Sequence, residues 1–351
     1  MTLKDDRIDN TAALARHLGL SRWTVSRVIN GHPGVREATR KRVETAMLEL
    51  GFSPNPMARG LRGQRTHLVG ICLHELDNPV LSGKAMALQR FLRSRGYQAL
   101  LELTNSERAL EAVVLQSFRS LKVDGIILVA SRLRKNDPLL NELVTNGMPI
   151  VALDPFHDLP LSTVRLNRRE ALRELVQVFL NKGHTHITLA GISNRSEYGQ
   201  DRMAGIHEAL SENGLDLKTS LAVFEKSPSL GYSVTAGFEL AERLLAQETF
   251  PQAIIAANDR IAMGIMQRFR SAGKLAPRDY SIAGFDNLEA GLCTQPALTT
   301  IDQQVDTLIE ATVEQLLNRI EPESIALSDT PPQQLIDALL VSRESIASPR
   351  S

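Results

Sequence analysis

Short apolar runs alternate with amphipathic stretches from Leu68 onward, and this pattern constrains the fold more than any other feature of the chain. Seven runs stand out: LVGICL, ALLEL, GIILVA, IVALD, HITLAG, AIIAAND and YSIAGFD. Strands that alternate with helices in this way predict parallel sheets with helices on both faces. Seven strands suit two lobes better than one sheet. The predicted fold class is therefore α/β, with a two-lobed, doubly wound body.

Polar side chains follow several of these runs, where the predicted strands end. Doubly wound sheets bind ligands beyond the carboxyl ends of their strands, in the cleft that opens there. The sequence therefore predicts a small-molecule site built from these polar residues. They are His74, Glu75, Asp154, Asn258, Asp259 and Asp286.

The residues before Leu68 have a different pattern, which predicts a small all-α head of three helices. Asn10 or Thr11 is the expected N-cap of the first helix, Gly19 ends it and Ser21 caps the second. The three helices run from about Thr11 to Leu18, Arg22 to Asn30 and Glu37 to Leu50. Their apolar positions predict the core of the head: Leu14, Ala15, Leu18, Val25, Val28, Ile29, Val43, Ala46, Met47 and Leu50.

Four residues of the head have the spacing that a helix-turn-helix requires. Ala15 allows close approach, Gly19 makes the turn, and Val25 and Val28 wedge the second helix against the first. This geometry lets the N-terminal residues of the second helix enter a major groove. Its outward face carries six polar or aromatic side chains: Arg22, Trp23, Thr24, Ser26, Arg27 and Asn30. Packing of Trp23 back onto the head is the alternative for that residue.

The charge distribution also indicates a polyanionic partner for the head. The chain has no net charge, but residues 1–66 hold twelve Lys and Arg against six Asp and Glu, and the rest of the chain holds 28 against 34. A basic head on an acidic body is typical of proteins that bind nucleic acid. Chance fluctuation over so short a segment is the alternative explanation.

A hinge of residues 54–66 connects the head to the body. Asn55 can cap a short helix there, Ala58 is small enough for two such helices to pack, and Leu61 is an apolar residue in a basic setting. A helix this short is unstable alone in water, so we predict that it orders only on DNA.

The segments LSRWTVSRVIN and TRKRVETAMLELGFSPNPMARGLR closely resemble the head of the lac-repressor (LacI/GalR) family of bacterial transcription regulators. The resemblance implies that Arg22 and Trp23 read base edges and that paired hinge helices wedge Leu61 into the minor groove. Leu61 facing its own head is the alternative. The implied DNA contacts are Asn10, Thr11, Ser21, Arg22, Trp23, Thr24, Ser26, Arg27, Asn30, Arg36, Asn55, Ala58, Arg59 and Leu61.

The body resembles the effector domain of the same family, which is akin to periplasmic sugar-binding proteins. The matching segments include VDGIIL, DRMAGIHEAL, ANDRIAMG, SIAGFDN and PALTTIDQ. The resemblance implies eight effector contacts: Asp154, Leu166, Arg202, Tyr232, Asn258, Asp259, Asp286 and Gln303. Glu75, at the end of a predicted strand, is the ninth predicted contact. Three have structural alternatives: Asp259 as a helix cap, Asp154 as a bridge between lobes, and Arg202 as a simple partner of Asp286.

The predicted domain organisation follows from these patterns. The head covers residues 1–53, the hinge 54–66 and the effector-binding and dimerisation domain 67–351. One lobe is expected to hold about 67–166 and 304–328, the other about 167–303 and 329–351. Homodimer contacts are expected near residues 86–92 and 113–121.

Several function classes lack support in the sequence. No P-loop, GxSxG or HExxH motif is present, so we predict neither an enzyme nor a cofactor. His184 and His186 precede a strand and are not predicted to bind metal. Cys72 and Cys293 lie in apolar runs and are expected to be buried free thiols. No signal peptide or long apolar run is visible, so a cytoplasmic protein without a membrane partner is expected.

The resulting hypothesis is a ligand-responsive, sequence-specific repressor of carbohydrate-utilisation genes that binds palindromic operator DNA as a homodimer in the nucleoid. Its effector is expected to be a sugar or sugar acid. A soluble sugar-binding signalling protein is the alternative, and an enzyme on a doubly wound fold, such as a kinase, ranks third.

Overall fold

The computed structural model describes residues 8, 10–29, 32–52, 65–194, 197–321 and 331–349. The chain divides into two compact units, Met1–His67 and Leu68–Ser351. We describe the head and the body separately.

The described part of the head consists of three helices. They are α1 (Thr11–Leu18), α2 (Arg22–Ile29) and α3 (Glu37–Glu49). Asn10 caps α1, because its Oδ1 accepts hydrogen bonds from the backbone N of Ala12 (3.1 Å) and Ala13 (2.9 Å). Gly19 ends α1 with a left-handed backbone (φ 60°), which glycine adopts without a steric penalty.

The core of the head confirms most of the apolar pattern. Leu14, Ala15, Leu18, Val25, Val28, Val43 and Ala46 are buried, and Ile29 and Met47 pack against them. The prediction for Leu50 is wrong, since its side chain is exposed. Gly51 turns the chain back with a φ of 59°, and the backbone N of Phe52 bonds to the carbonyl of Met47 (2.9 Å), so Phe52 is buried in the core instead.

The described body contains twelve strands: β1 (Leu68–Leu73), β2 (Gln98–Leu103), β3 (Gly125–Val129), β4 (Ile150–Leu153), β5 (Ser162–Asn167), β6 (Ile187–Ala190), β7 (Leu221–Phe224), β8 (Ala253–Ala256), β9 (Ser281–Ala283), β10 (Thr300–Asp302), β11 (Gln333–Asp337) and β12 (Leu339–Val341). Its helices are α4 (Pro79–Ser94), α5 (Arg108–Ser120), α6 (Pro138–Thr145), α7 (Arg168–Asn181), α8 (Glu197–Glu212), α9 (Leu217–Ser220), α10 (Val234–Leu245), α11 (Asp259–Ser271) and α12 (Val305–Ile320). Each of the seven predicted apolar runs contains a strand.

The strands form two parallel sheets and a short antiparallel ribbon. The first sheet has the order β11-β5-β4-β3-β1-β2, and the second has the order β7-β6-β8-β9. The ribbon pairs β10 with β12. Separate apolar clusters pack against the sheets of the two lobes. The two-lobed, doubly wound α/β body that the alternating pattern predicts is thereby confirmed.

The lobe boundary near the C-terminal end differs from the prediction. Strand β11 pairs in parallel with β5, with Leu335 opposite Arg165, and so belongs to the first sheet. The prediction assigned residues 329–351 to the second lobe as a block. Because β11 is an exposed edge strand, its side chains carry little apolar pattern from which to assign it.

The two cysteines are free thiols, but only one of them is buried. Cys72 lies in β1 within the first lobe, whereas Cys293 is exposed, contrary to the prediction. Within the described residues, no helix is long and apolar enough to cross a membrane. The same residues contain no cluster of three His, Cys, Asp or Glu side chains that could hold a metal ion.

Candidate functional site

Helix α2 presents Arg22 and Trp23 on the exposed face of the head. The Trp23 side chain is 67 % exposed, so the structure does not show the alternative in which it packs into the core. Val25 and Val28, on the opposite face, supply the contacts with the other helices. The N-terminal end of α2 therefore offers one guanidinium fork and one indole to a partner.

Arg27 fixes the position of the exposed indole. Its guanidinium carbon lies 4.6 Å from the centroid of the Trp23 ring, one helical turn earlier. Its Nη2 also donates a hydrogen bond to the carbonyl of Pro33 (2.6 Å). Arg27 thus connects the exposed face of α2 to the turn before α3.

Other predicted DNA contacts in the head act as caps or lie on its surface. Ser21 caps α2, since its Oγ accepts a hydrogen bond from the backbone N of Thr24 (3.0 Å). Thr11 opens α1, Ser26 is partly buried in α2, and Arg36 is exposed just before α3. The remaining predicted contacts, Asn30, Asn55, Ala58, Arg59 and Leu61, lie outside the described residues, as does most of the hinge.

A polar cleft of the described body opens between its two lobes, at the carboxyl ends of strands from both sheets. Its empty space, including the opening to solvent, is about 830 Å³. Polar side chains from both lobes line it: His74, Glu75, Asn78, Lys84, Asp154, Arg168, Ser193, Tyr198, Arg202, Tyr232, Asn258, Asp286 and Gln303. We call this space the effector cleft.

Seven of the nine predicted effector contacts line the effector cleft: Glu75, Asp154, Arg202, Tyr232, Asn258, Asp286 and Gln303. Leu166 does not, because its side chain is fully buried in the core. Asp259 does not either, since its oxygens accept hydrogen bonds from Thr300 Oγ1 (2.5 Å) and the backbone N of Leu288 (2.7 Å). The helix cap is Asn258, whose Oδ1 accepts from the backbone N of Ile261 (2.9 Å).

Asp154 is the centre of a buried ionic cluster. Its Oδ2 accepts a hydrogen bond from Lys84 Nζ (2.9 Å), and Arg168 binds both oxygens, at 2.8 and 3.0 Å. Tyr198 donates its hydroxyl to the backbone carbonyl of the same residue. Because Lys84 comes from α4 of the first lobe and Arg168 from α7 of the second, Asp154 joins the lobes, as the structural alternative for this residue anticipated.

The charge state of Asp154 follows from these contacts. Burial alone would raise the pKa of its carboxyl, but Arg168 and Lys84 outweigh burial and hold that pKa well below its usual range. The backbone N of Leu166 adds a hydrogen bond to Oδ1 (3.0 Å). Since both oxygens are already bonded twice, Asp154 has little capacity left to accept ligand hydroxyls.

Arg202 has a different environment, because no carboxylate among the described residues pairs with it. Its Nη1 donates to the carbonyl of Ala257 (2.8 Å), and its guanidinium lies 4.1 Å from the centroid of the Phe285 ring. Burial, followed by the charge of Arg168, lowers the pKa of Arg202 to about 10. Within the described residues Arg202 makes no ion pair, so the alternative pairing with Asp286 is not observed.

Asp286 faces the cleft with one neutral partner, because Gln303 Nε2 donates to its Oδ1 (2.6 Å). Burial, with a smaller contribution from Asp259, raises the pKa of Asp286 to about 7. Tyr232 is half exposed at the cleft, and Lys226 Nζ lies 4.7 Å from the centroid of its ring. The cleft therefore combines a cationic region around Arg202 with a weakly ionised carboxyl at Asp286.

Buried polar atoms without partners are concentrated in this cleft. In the described part of the chain, six buried side-chain atoms have no hydrogen-bond partner. Four of them belong to residues that line the cleft: His74 Nδ1, Arg168 Nε, Arg202 Nε and Gln303 Oε1. Because an unsatisfied buried group costs free energy, their common location indicates a place where a polar molecule binds.

The raised pKa of Asp286 predicts a pH dependence of body stability. The unfolded chain loses this proton near pH 3.8 and the folded chain near pH 7, so stability falls as the pH rises between about 4 and about 7. Asp286→Asn is expected to flatten that fall. Urea unfolding from about pH 5 to about pH 8 measures it, with Asp306→Asn, an exposed carboxyl, as control. Equal slopes in the wild type and Asp286→Asn would contradict the assignment.

Sequence reasoning missed Lys84, Arg168 and Tyr198. The two cations had a usable signal, since each lies on the apolar face of its helix. Lys84 stands between Leu81 and Leu88 at helical spacing, and Arg168 precedes Ala171 and Leu172 in the same way. A cation on a buried helical face requires a charged partner, which here is Asp154.

Two family models match the chain. Residues 13–55 match the model described as bacterial regulatory proteins, lacI family, and residues 176–346 match that of a periplasmic binding protein-like domain. The first match covers α2 and α3, and the second covers most of the second lobe.

Similar proteins extend the likeness over nearly the whole chain. The HTH-type transcriptional regulator DegA of Bacillus subtilis (strain 168) is 30 % identical over 83 % of this chain and 86 % of its own. The ribose operon repressor of Escherichia coli (strain K12) is 29 % identical over 88 % and 92 %. The crystal structure of the lac repressor dimer bound to operator and the anti-inducer ONPF aligns with a TM-score of 0.82 at 26 % identity, over 96 % and 99 %.

Proposed function

Because the chain belongs to the LacI family of DNA-binding transcription regulators, we propose that it is a repressor whose affinity for operator DNA is controlled by a small polyhydroxylated effector. The similar proteins are transcription regulators, not enzymes. The proposed targets are carbohydrate-utilisation genes, in keeping with the ribose operon repressor among the relatives.

The head supplies the proposed operator contacts. Arg22 can donate two hydrogen bonds to guanine O6 and N7, while Trp23 offers a large apolar face to thymine methyls or sugar edges. Arg27 stacks on the indole of Trp23, which favours a defined orientation of that ring. The predicted hinge contacts, including the Leu61 wedge, belong to the same proposal and rest on the sequence alone.

The proposal that the protein binds an effector rests on one observation: four buried polar atoms without hydrogen-bond partners belong to residues that line one cleft between the two lobes. Donors and acceptors both occur among them, as a polyol with adjacent hydroxyls requires. Sugar and sugar acid are therefore the proposed effector chemistries. The ribose operon repressor of E. coli supports this class by its name.

A homodimer on a palindromic operator is the proposed functional form. Met86 on α4 and Val113 on α5 are 65 % and 63 % exposed, and both lie in the helices predicted to form the dimer contacts, where a partner subunit would cover them. The lac repressor structure that the chain resembles is a dimer. Effector binding is proposed to change the relative position of the first lobes in the dimer, and so the spacing of the two hinges.

Selection of DNA sequences by the full-length protein tests this function. We expect enrichment of one palindromic sequence, and we expect a sugar or sugar acid to change mobility-shift affinity for it by about 5- to 150-fold, the range of typical allosteric coupling. Failure to enrich any sequence would refute operator binding. An operator affinity that no compound of either class alters would refute control by such an effector.

A further inference from the structure

The effector cleft contains more positive charge than its carboxylates neutralise. Three cationic side chains line it: Lys84, Arg168 and Arg202. Lys84 and Arg168 share the single carboxylate of Asp154, so these two cations and Asp154 together carry one net positive charge. Arg202 adds a second, because it makes no ion pair with any residue that the structure describes.

The other two carboxyl groups of the cleft do not balance this charge. Glu75 is half exposed, lies 3.7 Å from His74 Nε2 and, in the described part of the chain, forms no ion pair with Lys84, Arg168 or Arg202. Asp286 is bonded to the neutral Gln303 and is partly protonated near pH 7. The buried part of the cleft around Arg202 therefore stays positive at neutral pH.

The guanidinium groups of Arg168 and Arg202 both line this positive region. Arg168 is near enough for its charge to contribute to the lowered pKa of Arg202. Each keeps its buried Nε without a hydrogen-bond acceptor. A carboxylate is the acceptor that fits such edges best, since its two oxygens match the planar donor pattern and its charge offsets the desolvated cations.

We propose that the effector is a polyhydroxylated monocarboxylic acid, an aldonate or a uronate, whose carboxylate pairs with Arg202 on the side of Arg168. One carboxylate is enough for pairing, because Lys84 and Arg168 already bind Asp154, and Arg202 is the cation lining the cleft that has no carboxylate partner among the described residues. The hydroxyls of the acid are left to Gln303 Oε1 and Asp286. This inference rests on the proposed function, since it names the chemical class of the effector of the same cleft.

Calorimetric titration of the full-length protein with matched compounds tests the inference. The panel holds five- and six-carbon aldoses, the aldonate and uronate derived from each, and the phosphate ester of each. We expect an acid to bind at least about ten-fold more tightly than its parent aldose, because an ion pair between two charged groups replaces a hydrogen bond from the same guanidinium to a neutral hydroxyl. The same acid should alter the mobility-shift affinity for the operator.

Variants connect this preference to Arg202. Arg202→Gln is expected to weaken binding of the acid by about 10- to 100-fold and binding of its parent aldose much less, so that the preference disappears. Arg202→Lys keeps the positive charge and should retain part of the preference for the acid. Arg169→Gln is the matched control, because Arg169 is exposed, pairs with Glu208 and lies outside the cleft. Thermal melting and operator binding establish that each variant is folded.

The outcomes distinguish failure of the monocarboxylate inference from failure of the proposed function. A parent aldose or a phosphate ester that binds more tightly than its acid, and that changes operator affinity, overturns the monocarboxylate and leaves the proposed function intact. An acid preference that survives Arg202→Gln overturns the assigned contact. Absence of binding by the whole panel overturns both this inference and control by a sugar-like effector, while operator binding stands or falls by the DNA selection.

Discussion

Asp154→Ala is expected to destabilise the body by about 3–5 kcal/mol, the usual cost of removing one partner from a buried ion pair. Lys84 and Arg168 would remain nearly fully buried without the carboxylate that compensates both of them. The left-handed backbone of Asp154 (φ 47°) adds strain for alanine. Urea unfolding near pH 7 measures the loss, since the depressed pKa keeps Asp154 ionised there.

Two further variants separate lost charge from backbone strain. Asparagine tolerates the left-handed conformation, so Asp154→Asn should lose nearly as much stability as Asp154→Ala if the charge dominates. Adding Lys84→Met to Asp154→Asn removes one stranded cation and should recover part of the loss. Asp306→Ala breaks an exposed pair with Arg90 and should cost no more than about 1 kcal/mol. An Asp154→Asn protein within about 1 kcal/mol of the wild type would contradict this account.

Arg22→Ala is expected to weaken operator binding by about 10- to 100-fold, which corresponds to about 1–3 kcal/mol for a bidentate base contact. The loss should be concentrated at one base pair of each half-site, where discrimination between bases relaxes. Binding to unrelated DNA should fall only slightly, because phosphate contacts dominate that interaction. Mobility shifts with the selected operator and its single-base variants measure both effects.

Lys41→Ala is the matched control for Arg22→Ala. Lys41 is an exposed cation on α3 and is not among the predicted base contacts, so its loss should weaken binding to all sequences alike and reduce the salt dependence. An Arg22→Ala protein with this same uniform pattern would show that Arg22 contacts phosphate, not a base. Unchanged affinity would remove Arg22 from the interface.

Local patterns in the sequence were sufficient for the elements and for the class of protein. Apolar strands and amphipathic helices are encoded by neighbouring residues, so the seven runs predicted seven strands, and Gly19, Ser21 and the valines of α2 predicted the head. The edge strand β11 was missed, because its exposed and mostly polar side chains leave no apolar run to detect. The edge strand β7 was also missed, although its sequence, LAVF, is apolar.

The sequence by itself determined the family, the two-lobed body and eight of the thirteen polar residues that line the effector cleft, because these depend on periodicity and on motifs of adjacent residues. Only the tertiary structure decided what each side chain does there. It joined Lys84 and Arg168 to Asp154 across 70 and 14 positions, bonded Asp259 to Thr300 of β10, and left Arg202 without a carboxylate partner among the described residues. Charge compensation in a buried site depends on distances between residues remote in the chain, and the order of residues does not contain those distances.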